Sequence, residues 1–178
     1  MEYMSYLNHK NLKGVIVMSE KLIKKMNDQF NNELASGYDY LAMSAYVKDM
    51  ELEGCANFFF QQAKEEFEHA MKFYNFLFDI DHKVKYQAME EPKEEYGTIL
   101  DVFKAALEHE KYITKCIREL YEMAEEEKNY EVIEFLGWFI KEQVEEEDSF
   151  RSLITKFERA NESWSGIYLL DSLLAKRG

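Results

Sequence analysis

Four stretches of this chain repeat apolar residues in alternating steps of four and three, and each stripe is broken near its middle by polar groups. The first runs Met26, Phe30, Glu33, Gly37, Tyr40, Ser44, Val47, and the second Cys55, Phe59, Gln62, Glu66, His69, Phe73, Phe76, Ile80. The third runs Ile99, Phe103, Ala106, Glu110, Ile113, Ile117, and the fourth Val132, Leu136, Phe139, Gln143, Glu146, Phe150. That period puts one face of a helix against a core. Glu33 to Glu66 and Glu110 to Gln143 each span 33 residues, while Glu33 to Glu110, Glu66 to Gln143 and His69 to Glu146 each span 77. The spacing describes a two-helix unit used twice. It predicts that all six polar side chains meet at one level of a four-helix core.

The connections set the topology. A short polar break, KDMELEG, joins the first helix (from an N-cap at Ser19) to the second, which runs to about Ile80. Residues 81–97 hold the chain's single proline and no sustained period. A bundle helix of about 26 residues is roughly 40 Å long, and about 16 extended residues reach about 50 Å. This loop can therefore run the length of the bundle and leave helices two and three parallel. Thr98 and Asp101 cap the third helix, EEEKN turns into the fourth, and NES leads to a short apolar helix over 165–174. The predicted fold is all-α, a four-helix bundle with one long crossover and a short fifth helix. Residues 1–17 show no helical or strand period, so the expected division is an extension over 1–17 and one domain over 18–178.

A buried charge costs several kcal/mol unless it is paired or bound to metal. Acids from two helices, joined by Glu66-x-x-His69 and Gln143-x-x-Glu146 from the others, form a set of hard oxygen donors with an imidazole, a set that suits iron. Divalent cations would remove the repulsion among acids crowded in a dry core. The net charge of −13 fits a cationic partner and argues against nucleic acid or an anionic membrane. Cys55 and Cys116 form no CxxC pair and read as free core thiols of a reducing compartment. No run reaches the length of a membrane span and no secretion signal is legible in MEYMSYLNHKNLKGVIV, so a cytoplasmic location is expected. His9, His82 and His109 have no partner spacing and are expected at the surface, while Met71 and Phe73 are expected in the core.

The segments NNELASGYDYLAMSAY, AKEEFEHAMKFYNFL, ALEHEKYITKCI, FLGWFIKEQVEEEDSF and GIYLLDSLL resemble the non-haem ferritins of bacteria and archaea, over essentially the whole chain from Met18. The resemblance implies a ferroxidase centre holding two irons per subunit, with Fe(II) oxidised by oxygen or hydrogen peroxide. It also implies Fe(III) mineral stored in a homo-oligomeric cage of twenty-four subunits. Position by position, Glu33, Glu66 and His69 match the ligands of the first iron, and Glu66 would bridge to a second held by Glu110 and Glu146. Gln143 matches a glutamine that hydrogen-bonds at the centre, Tyr40 a tyrosine able to give up an electron, and Trp138 also matches. Glu65, Glu142, Glu145 and Glu146 resemble a third, inner iron site.

Departures narrow the kinship. Gln143-x-x-Glu146 stands where a symmetric centre would repeat E-x-x-H, and Phe67 occupies the position of the haem-ligating methionine of bacterioferritins, so no haem is expected. The absence of CxxC pairs argues against a rubrerythrin, and the last short helix against a mini-ferritin. Glu131 and Glu134 form an acidic pair near the start of helix four, expected as an exposed face or a cation channel lining. The competing expectations are a storage shell without a working centre and a small di-iron or di-manganese oxidase.

Overall fold

The computed structural model describes residues 18–176, and the predicted extension over 1–17 lies outside them. All regular structure among these residues is helical: α1 (Glu20–Asp49), α2 (Glu53–Asp79), α3 (Ile99–Glu126), α4 (Tyr130–Ala160) and α5 (Trp164–Leu174). Three of the five starts carry a side-chain cap. Ser19 accepts from the Leu22 amide, Asn129 from that of Val132, and Thr98 with Asp101 closes a reciprocal capping box. α2 has no side-chain cap of its own at Leu52. Asp171 on α5 supplies one instead, accepting from the Cys55 amide at 2.8 Å.

α1 packs on α2 and α3 on α4, with α1 against α3 closing the bundle. α2 and α4 meet through side chains, Phe73 tilted against Phe139 and Phe76 stacked on Phe135. The crossover is tied along the length of α1. Asn27 and Asn31 both donate to the Lys85 carbonyl at 2.9 Å, and the Tyr46 hydroxyl bonds both the N–H and the C=O of Gly97 at 2.9 Å. From Asn27 to Tyr46 the strap climbs about 28 Å of helix. α3 therefore begins beside the C-terminal end of α1 and runs parallel to α2, as the loop length predicts. Gly97 turns into α3 at φ 96°, a left-handed backbone that glycine adopts without strain.

The core is two apolar clusters rather than one. The first gathers Tyr40, Phe58, Phe59, Phe103, Phe150 and Phe157 under α5, and the second gathers Met26, Phe30, Phe73, Ile113, Leu136 and Phe139. The six polar interruptions lie in neither cluster, and every one of them is buried. Two apolar expectations need correction. Met71 is half-buried rather than a core residue, because it falls two positions from both His69 and Phe73 on the stripe, and Cys116 is half-buried rather than a core thiol. Both cysteines are free.

Candidate metal centre

Long uninterrupted helices hold the polar side chains, so their spacing sets their height in the bundle. Glu33 on α1 and Glu66 and His69 on α2 each offer a ligand atom within 4.8 Å of the others. His69 Nδ1 lies 3.6 Å from a Glu66 oxygen, and all three residues are at most 4% exposed. A second group of the same tightness joins His69 to Glu142 and Glu146 of α4. Glu110 enters from α3, its two oxygens taken by the Tyr40 hydroxyl and by Gln143 Nε2, the latter at 2.9 Å.

Burial dominates the electrostatics. It raises the Glu33 carboxyl well above the ordinary range, and the charge of Glu66 adds to the effect. Glu66 is raised in the same way, by burial first and then by Glu110. Glu110 is raised by burial although its bonds from Tyr40 and Gln143 pull the other way, and Glu146 is pushed up to about 7 by burial and by Glu110. Burial likewise holds the Tyr40 phenol protonated. Four acids therefore share a space from which water is largely excluded. Glu33 Oε2 is buried with no hydrogen-bond partner, while its other oxygen accepts from Gln29 Nε2 at 2.8 Å. An orphaned carboxylate oxygen beside an imidazole and a second carboxylate is a donor set that fits a divalent cation.

The remaining predicted residues spread out. Trp138 sets the edge of its indole against the His69 ring, with centroids 5.3 Å apart, and carries Lys72 over its exposed face. Glu65 is half-buried, whereas Glu145 points to solvent beside Lys141 at 3.7 Å. Of these four acids, Glu142 and Glu146 come together with His69, the charge of Glu65 also reaches Glu146, and Glu145 turns away. Glu131 and Glu134 are exposed.

His109 is a correction. It is not a surface residue: its Nε2 bonds Ser36 Oγ at 2.8 Å, its ring stands edge-on to Tyr40, and burial lowers its pKa to about 4. One step along α3 from Glu110, it falls on the side that packs against α1, and that rotation is set by the α1–α3 contact. Gln29 and Gln62 also escaped the sequence reading as functional residues. Each stands one turn before a buried glutamate, Glu33 or Glu66, and the two glutamines are themselves 33 residues apart, a signal that was present.

Fold and site together define a four-helix bundle with a buried carboxylate–histidine cluster suited to metal. Residues 23–160 match the family model of the ferritin-like domain. The bacterial non-heme ferritin of Staphylococcus haemolyticus is 38% identical over 161 residues, covering 90% of this chain and 97% of the relative. Its Staphylococcus aureus counterpart matches to the same extent. An open-pore ferritin from the hyperthermophilic archaeon Archaeoglobus fulgidus superposes with a TM-score of 0.90 at 38% identity, over 91% of this chain and 100% of that one. The chain belongs to the ferritin family.

Proposed function

We propose that this protein stores iron and is itself the ferroxidase that loads the store. The observation that carries the reading is the buried group of Glu33, Glu66 and His69, with Glu33 Oε2 left without a partner. Iron here is substrate and cargo. Glu33, Glu66 and His69 bind one Fe(II), and Glu66 bridges to a second held by Glu110 and Glu146. Gln143 and Tyr40 hold the Glu110 carboxylate in place. Each Fe(II) gives one electron to oxygen or hydrogen peroxide. With oxygen, two electrons and two protons yield hydrogen peroxide, and with hydrogen peroxide they yield water. The protein supplies ligands and a dry pocket rather than a general acid or base. Glu142 and Glu146 of α4, with Glu145 beside them in sequence and Glu65 from α2, form the inner site through which the product moves toward the mineral.

The ferritins named above support a homo-oligomeric assembly, and a hollow cage of twenty-four subunits is the proposed container. No described helix is long and apolar enough to cross a membrane, and the proposed location is the cytoplasm. The test is Glu66→Ala. Stopped-flow mixing with two Fe(II) per subunit should show the fast oxidation phase lost in the variant while electron micrographs still show hollow particles. Wild-type oxidation in Glu66→Ala would overturn the assignment.

A further inference from the structure

Among the described residues, two buried side-chain oxygens lack a hydrogen-bond partner, Glu33 Oε2 and Gln62 Oε1. The first belongs to the cluster described above. The second belongs to a residue with no assigned part. Gln62 has no exposed surface, stands on the α2 stripe between Phe59 and Glu66, and donates from Nε2 to Glu146 Oε2 at 3.0 Å. A carboxylate only accepts, so the amide turns its NH2 to Glu146 and leaves its carbonyl oxygen without a donor. An apolar side chain would fill this stripe position without leaving an acceptor unpaired.

The pattern recurs across the site. Gln29 holds one oxygen of Glu33 and leaves the other free, and Gln62 holds one oxygen of Glu146. His69 offers a ligand atom both to the group of Glu33 and Glu66 and to that of Glu142 and Glu146, so the carboxylate that Gln62 holds borders the same buried space. A cation entering that space brings its own water, and a water hydrogen is the donor that Gln62 Oε1 lacks.

We propose that Gln62 is a positioning residue for the second cation: its NH2 fixes Glu146 as a ligand, and its Oε1 accepts a hydrogen bond from the water that cation carries. The inference rests on the two-cation reading above. Gln62 itself is not a ligand and touches no electron-transfer step. Partners of this kind orient a ligand, and their loss costs 10- to 100-fold in metal affinity in comparable sites.

The test uses Zn(II), which binds without oxidation, titrated calorimetrically into the metal-free assembled protein, with Gln62→Leu and Gln62→Met as independent variants. Wild type should take up two equivalents per subunit at the centre. Both variants should keep one at wild-type affinity and bind the other about tenfold more weakly. With Co(II), the visible absorption of the weakened equivalent should change while that of the other stays fixed, a signature that looser packing alone would not give. Two unchanged equivalents in either folded variant, or an equal loss at both, would overturn the proposal. A wild-type protein that fails to bind two equivalents would overturn the two-cation reading itself, and the role of Gln62 with it.

Discussion

The hydroxyl of Tyr40 donates to Glu110 Oε1 between α1 and α3, at a point where neither residue is more than 1% exposed. The ring above that hydroxyl is stacked between Phe59 and Phe150, with centroids 6.2 and 6.0 Å away. Tyr40→Phe keeps the stack and deletes one donor. Leaving a buried acceptor short costs about 1–3 kcal/mol, so the metal-free variant should unfold in urea with stability reduced by about that amount. Saturating Zn(II) should shrink the difference, because the cation then compensates the carboxylate. An equal loss with and without Zn(II) would show that the hydroxyl does not act through Glu110.

Acid should stabilise the metal-free protein. Glu33, Glu66, Glu110 and Glu146 all have folded pKa values raised above the ordinary 4.5. The folded state then binds more protons than the unfolded state, and stability falls as pH rises. Their contribution is complete below about 4.5 and is lost as pH climbs, through about 7 for Glu146. His109 opposes this slope between its ordinary 6.5 and about 4, but one imidazole faces four carboxyls. Urea unfolding in chelator should therefore show lower stability at pH 8 than at pH 5.5, and Zn(II) should flatten the slope. A metal-free protein more stable at pH 8 would contradict the burial of these acids.

His109 should stay neutral while it stays folded. The Ser36 hydroxyl spends its one hydrogen on the Asn32 carbonyl at 3.0 Å, so its oxygen must accept from His109 Nε2–H. Nitrogen NMR of the metal-free protein should report the Nε2–H tautomer from pH 8 to pH 5. An imidazolium signal from His109 at pH 6 would rule this arrangement out.

α5 is seated by two contacts at the start of α2. A methyl group on Gly54 would lie 1.8 Å from the Asp171 carbonyl oxygen, a backbone atom that can yield only if α5 moves away. Gly54→Ala should raise amide hydrogen exchange throughout Trp164–Leu174 and lower the melting temperature. Asp171→Ala removes the cap on the Cys55 amide together with the carboxylate beside the Cys55 thiol and should cost about 1 kcal/mol, leaving α5 docked. Unchanged exchange in Gly54→Ala would place α5 elsewhere.

Helix limits, caps and the crossover were legible because they depend on neighbours in sequence. Ser19 and Thr98 bond amides three residues away, and a stripe in steps of four and three names its buried face without reference to any partner. The same local rule placed Glu33, Glu66, His69, Glu110, Gln143 and Glu146 on inward faces. It failed for His109, which lies beside the stripe and is half-buried only because α1 rests there. It also treated the four acids proposed for an inner site alike, although Glu142 turns toward His69 and Glu145 toward solvent.

Residue order by itself determined the helices, their inward faces and the height at which acids interrupt them, since each follows from a repeat along a single strand of backbone. Tertiary structure alone decided which atoms answer one another: Tyr40 with Glu110, Gln62 with Glu146, Asp171 with the start of α2. Those pairings depend on how the helices are rotated and slid against each other. That choice belongs to two separate apolar clusters packing at once, and to the exclusion of water that shifts every carboxyl between them.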